Sequence, residues 1–345
     1  MATVVFDELP VCLTPSSSSA LVACGCVDGT LHLLEYSAVD VDKDNPSKPE
    51  FRKKCIFKHK KAVRGAKFEP DGSKIAVVTK NKALCRWDVE SGKKLRCIQT
   101  AHPNSPPYAI TTVSDFQVAT GDESGCVRLW DWRAKPGENP VGDFHEHEDY
   151  ITDLICDSSG RYLLATSGDS TLTAYDVRKR GLFVISEPVQ AELLCCGLAK
   201  DGSKTLCGGA EGFIEIFNDK EWGNIVDRIE SGHSESVDCL VTLPRSDSFV
   251  ITGSIDGALR LHHVQPNYSV AEIAEVEGGI ECMCLSEDGQ WLFAAGMEAK
   301  LDCIYVGNIS DDMPMIRNAK KLKEWKKETS AAVNRNKDNF FADLC

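Results

Sequence analysis

Sixteen cysteines and eight histidines are the side chains in this 345-residue sequence best suited to metal or nucleophilic chemistry. A zinc site typically draws on cysteines three positions apart in the chain, with two residues between them, so that both sulfurs reach one ion. No two of the sixteen stand at that spacing. Many lie among strand-forming residues instead: Cys24, Cys26, Cys85, Cys195, Cys196, Cys207, Cys239, Cys282 and Cys284. Free thiols serving as small buried hydrophobes in a reducing compartment are the expectation. Asp40-Val41-Asp42-Lys43-Asp44-Asn45 starts like a calcium loop, which needs glycine at its sixth place and glutamate at its twelfth. Asn45 and Phe51 stand there, so an exposed acidic loop is expected. Gly253-Ser254-Ile255-Asp256-Gly257 has its serine one place early for a nucleophile elbow. The sequence holds no phosphate loop, dinucleotide fingerprint or His-Glu-x-x-His. The expectation is a noncatalytic protein with no metal and no cofactor.

Charge is the stronger signal. The chain carries 39 basic and 52 acidic residues, net -13, and as a whole is no general polyanion binder. Yet Arg52, Lys53, Lys54, Lys58, Lys60, Lys61, Arg64 and Lys67 fall within sixteen residues that contain no acid. A second basic stretch runs over residues 316–337, with Arg317, Lys320, Lys321, Lys323, Lys326, Lys327, Arg335 and Lys337 against Glu324 and Glu328. Basic patches on an acidic body imply local attraction to RNA or an acidic partner; an import signal is the other reading of the second stretch. Leu322 and Trp325 are spaced to share a helix face. Beyond them Phe340, Phe341 and Leu344 read as anchors, for a partner pocket or for the body of this same chain. No apolar run reaches the ~20 residues that cross a bilayer, and the N-terminus lacks a secretory pattern. No membrane is expected.

These groups must be positioned by something, and the sequence repeats. An apolar strand, an Asp-Gly-like turn, an apolar strand, a small-residue cluster, a second turn and a strand ending in an aromatic residue recur along the chain. Val118 to Asp131 is the clearest copy. Aligning the second turn gives Asp28, Asn81, Ser124, Asp169, Glu211, Asp256 and Ala299. A spacing of 40–45 residues with four short strands per unit is that of β-propeller blades. The longer first interval holds the polar segment 39–50, read as a loop inserted in the first blade. Asp71-Gly72, Ser159-Gly160, Asp201-Gly202 and Asp288-Gly289 suit tight hairpins. Alternation in Gly212-Phe213-Ile214-Glu215-Ile216-Phe217 suggests one buried and one wet face. The expected architecture is all-β: one seven-bladed propeller over residues 1–310 and a basic tail over 311–345, partly helical or disordered. A strand around Thr3 to Phe6 is expected to close the ring on the last blade.

The repeats resemble the WD-repeat family. Trp87-Asp88 and Trp130-Asp131 are its dipeptide, Tyr175-Asp176, Phe217-Asn218 and His262-His263 are degraded forms, and Gly232-His233 opens a repeat, with His59, His102 and His147 lacking the glycine. The resemblance implies that such His, Ser/Thr, Asp and Trp side chains build a hydrogen-bonded strut within a blade. It narrows further. His147-Glu148-Asp149-Tyr150-Ile151, Arg178-Lys179-Arg180-Gly181-Leu182-Phe183, Ser186-Glu187-Pro188 and Asp338-Asn339-Phe340-Phe341-Ala342-Asp343-Leu344 follow in the order of the WD-repeat protein fifty-five family. That resemblance implies a nuclear and nucleolar scaffold in rRNA processing and large-subunit biogenesis, monomeric within larger complexes of pre-ribosomal factors. The chain stops soon after the Phe-Phe motif, without the long charged extension of animal members. A second implication comes from Trp130-Asp131-Trp132-Arg133, which matches the Trp-Asp-x-Arg box that binds the propeller adaptor of cullin-RING ubiquitin ligases. Tyr175-Asp176-Val177-Arg178 is a near match. Arg133 and Arg178 are expected on one rim, able to pair with partner carboxylates.

Overall fold

The computed structural model describes residues 2–37, 49–135, 139–244 and 246–309. Twenty-eight strands form seven four-stranded antiparallel sheets, and no helix occurs among the described residues. Each sheet is one blade, its strands running in order from the centre outward. All seven aligned turn positions fall between the second and third strands of a blade, as the spacing required. The Asp-Gly-like pairs fall between first and second strands, where Gly72, Gly160, Gly202 and Gly289 take φ of 64 to 81°. That left-handed backbone suits glycine, which has no Cβ to clash.

A blade cannot cover its own apolar faces, and the core is accordingly distributed. Seven apolar clusters lie one at each junction between neighbouring blades. Between blades three and four, for example, Val127 and Leu129 meet Ile151, Leu163 and Tyr175. The small residues of the repeat let neighbouring sheets approach. A Cβ built on Gly121 would stand 2.4 Å from Ile151 Cγ2, and one on Gly208 2.6 Å from Val237 Cγ1. Because each blade is flanked on both sides, the expected wet face of Phe213–Asn218 is not found. Glu215 there is 3% exposed, clamped by Arg228 at 2.6 Å. Alternation signalled a strand but not its solvent face, since a third strand has blades on either side.

The ring closes with strands from both chain regions. Blade seven takes its inner three strands from Ile280–Leu285, Trp291–Gly296 and Lys300–Tyr305 and its outer strand from Ala2–Val5. Thr3 pairs with Asp302 and Val5 with Lys300. Phe6 N–H donates to Ala299 O at 2.8 Å, and the Phe6 ring is buried against His32. The 39–50 insertion joins the third and outer strands of blade one; residues 38–48 lie outside the described residues, as does the tail from 310.

Candidate interaction surfaces

The repeat's histidines and aspartates assemble as struts. In blade three His102 Nδ1 is 2.7 Å from Asp122 Oδ2, His102 Nε2 is 2.7 Å from Thr120 Oγ1, and Trp130 Nε1 donates to Thr120 Oγ1 at 2.8 Å. An acid, a base and a hydroxyl in line resemble a nucleophilic triad. His102 and Thr120 are 0% exposed, so no substrate reaches them. Burial lowers the His102 pKa, with Asp122 opposing. Burial works to raise Asp122, but hydrogen bonds from His102 and Ser124 hold it below the ordinary value. Blade six repeats the strut with His262 in place of tryptophan, Nε2 lying 2.7 Å from Thr252 Oγ1. His233 bridges Thr252 and Asp256 there. Blade two keeps only Trp87 Nε1 to His59 Nε2, 3.0 Å.

The Trp-Asp-x-Arg residues divide by role. Trp130 is buried in its strut. Asp131, held at about 2 chiefly by its hydrogen bonds from Arg133, pairs with that guanidinium at 2.7 Å, and Arg133 also lies 4.9 Å from the Phe116 ring centroid. Arg133 is nonetheless 63% exposed. Asp176 takes Arg161 at 2.9 Å and the N–H groups of Arg178 and Lys179. Both arginines follow the third strands of adjacent blades, Val127–Asp131 and Leu172–Asp176. Antiparallel strands put those turns on one face of the ring. Arg178 is exposed, with no side-chain partner among the described residues.

The basic run expected as one patch divides as well. Arg52, Lys53, Lys54 and Lys58 are exposed on the outer strand Phe51–Lys58 of blade one. Lys60 and Lys61 are exposed in the connection to blade two. Arg64 and Lys67 belong to the inner strand Val63–Phe68 of blade two and line the central channel. One run of sequence crosses from rim to centre, because an outer strand is followed directly by the next inner one. The tail residues Phe340, Phe341 and Leu344, and the 316–337 stretch, lie outside the described residues.

Sequence reasoning missed the channel itself. The inner strands surround a cavity of about 530 Å³ that carries Arg64, Lys67, Tyr108, Asp153, Asp238 and Glu281. Arg64 pairs with Glu123 and sits 5.7 Å from the Tyr108 ring centroid. Burial raises the pKa of Asp153, of Asp238 and of Glu281, the last helped by the charge of Asp238. A shared local device places several of these side chains. Six inner strands start with a register shift that skips one residue: Val11, Arg64, Tyr108, Thr152, Leu194 and Glu281. A bulge re-aims its extra side chain, and all six line the channel. The signal was available, since each lies 16 to 18 residues before its aligned turn.

Seven four-stranded blades, strutted by His, Thr, Asp and Trp, define a WD-repeat β-propeller. Residues 2–309 match the WDR55 family, and the chain belongs to it. It is 34% identical over 282 residues to WD repeat-containing protein 55 of Mus musculus, covering 81% of this chain and 69% of that protein. With the Homo sapiens protein of that name the identity is 34%, covering 81% and 70%. With the Arabidopsis thaliana protein it is 31% over 287 residues, covering 82% and 76%.

Proposed function

We propose that the protein is a noncatalytic interaction platform in the nucleus and nucleolus that supports rRNA processing and large ribosomal subunit assembly. Membership of the WDR55 family, together with the resemblance in its tail motif, supports the process. The observation that carries a binding role is the outer strand of blade one, which exposes Arg52, Lys53, Lys54 and Lys58 on a chain of net -13. A cationic stripe on an acidic body attracts a phosphate backbone locally, with steep salt dependence. Pre-ribosomal proteins and rRNA are the partners proposed. The test is affinity purification from cells with mass spectrometry, paired with filter binding of pre-rRNA fragments at two salt concentrations. Recovery of pre-ribosomal proteins supports the reading. Recovery of none of them, with salt-independent RNA binding, refutes it.

A second reading rests on Arg133 and Arg178 presented on one face by adjacent blades. On this reading the ring is a substrate receptor that docks the propeller adaptor of a cullin-RING ligase. Arg178 is free to pair, whereas Arg133 must first release Asp131. Adaptor co-purification that survives the double change Arg133→Ala, Arg178→Ala excludes it.

A further inference from the structure

Outer strands of a propeller expose unpaired backbone, and proteins protect such edges with charge. Five of the seven outer strands here do so: Phe51–Lys58, Lys94–Ile98, Gly142–Phe144, Asp227–Glu230 and Tyr268–Glu275 each carry charged residues. The outer strand of blade four, Gly181–Ile185, carries none. Three of its five residues are large, apolar and exposed: Leu182 at 48%, Phe183 at 44% and Ile185 at 40%. The neighbouring blade extends the patch. Its Trp222 meets the Phe183 ring at 6.0 Å, and Ile225 and Val226 beyond it are exposed. Apolar side chains exposed singly are ordinary, whereas a contiguous set marks a contact surface.

Among the described residues no strand pairs with the outer side of this one. Ser186 N–H donates inward to Leu172 O, and the register pairs Ile185 with Thr173. Alternation along an antiparallel ladder therefore turns the N–H and C=O of Ile185 outward. Among the described residues only Glu187 N–H, at the far end, is taken, by Gly223 O at 2.8 Å. At the near end stand Arg178, Lys179 and Arg180, all exposed. A segment that fits is short, aromatic or aliphatic, and flanked by acids.

This chain contains one. Asp338-Asn339-Phe340-Phe341-Ala342-Asp343-Leu344 sets two phenylalanines and a leucine among two aspartates, with no basic residue. The 29 residues from Ile309 to Asp338 span up to about 95 Å when extended. A domain of this size is roughly 50 Å across, so the segment can reach blade four from blade seven. We infer that residues 338–344 dock on the outer strand of blade four of their own ring, Phe340 and Phe341 packing on Leu182, Phe183 and Ile185 and the aspartates meeting Lys179 and Arg180. The docked segment covers the free edge. Any partner that uses it must displace the tail. This inference is independent of the process in which the protein acts.

The test is amide hydrogen exchange at Ile185 in the full-length chain, compared with Phe340→Ala/Phe341→Ala and with Lys179→Glu/Arg180→Glu. Lys179 and Arg180 are exposed, and the other changes lie outside the described residues. Exchange about tenfold faster in both variants is expected, since the edge then opens freely. Adding Asp338→Lys/Asp343→Lys to the Lys179→Glu/Arg180→Glu chain should restore the slow rate. Unchanged exchange without the phenylalanines overturns the inference, and so does failure of the charge swap to restore protection. Protection that falls on dilution overturns it too, because the occupant is then a second copy.

Discussion

Ring closure gives the most direct test of how the fold is held. Ala2–Val5 makes a four-residue ladder with Lys300–Tyr305, and Phe6 follows it into the junction with blade one. A net ~0.5–1.5 kcal/mol per hydrogen bond is set against ~1–2 kcal/mol of backbone entropy per residue ordered. The ladder alone is close to balance. Phe6, 5% exposed, tips it: truncating a buried phenylalanine costs about 3–5 kcal/mol. At roughly 2 °C per kcal/mol for a domain this large, Phe6→Ala should lower Tm by about 6–10 °C. Deleting residues 1–8 should do only slightly more. Val5→Ala, at a position 72% exposed, should change stability by less than about 0.5 kcal/mol. Differential scanning fluorimetry at one heating rate measures all three. A large loss on deletion with Tm unmoved by Phe6→Ala would falsify the argument, since the ladder would then be the source of closure.

Further outcomes are expected. Burial holds His262 neutral, its pKa lowered to about 3 with help from the charges of His233 and Arg260, and holds His59 neutral, lowered to about 4. Unfolded histidine takes a proton near 6.5, so these groups contribute stability above that pH and lose it as pH falls toward the folded values. The strut aspartates Asp122, Asp256 and, in blade four, Asp169, 2.9 Å from His147 Nδ1, are held low and lose theirs only as pH falls below the ordinary carboxylate range. Urea midpoints should therefore drop between pH 6.5 and 4.5, and His262→Gln should flatten that drop; a midpoint constant over the interval refutes the assignment. Thr120→Val leaves His102 and Trp130 without their shared partner and should cost about 1–3 kcal/mol, read by urea denaturation. Reversing Arg52, Lys53, Lys54 and Lys58 should weaken pre-rRNA binding and flatten its salt slope. Reversing Arg64 and Lys67 should leave both unchanged, because those side chains face the channel; equal effects from the two sets would argue against an outer-edge contact.

The blade count was legible because it depends on spacing, and spacing survives degradation of the motif. His262 shows why: it keeps a nitrogen within reach of Thr252 Oγ1, so the strut persists where tryptophan is lost. Solvent faces were not legible. Glu215 occupies an alternating position that reads as exposed, and only the neighbouring blade and Arg228 explain its burial. The same limit divided the basic run, since contiguity in sequence carries no information about distance from the ring axis when an outer strand leads into an inner one. Register supplies that information. A residue skipped at the start of an inner strand points into the channel, whatever its type, so Arg64 and Glu281 face the centre as Val11 and Leu194 do. In this ring, position within the repeat decides where a charge goes, and the charge itself decides only what it meets there.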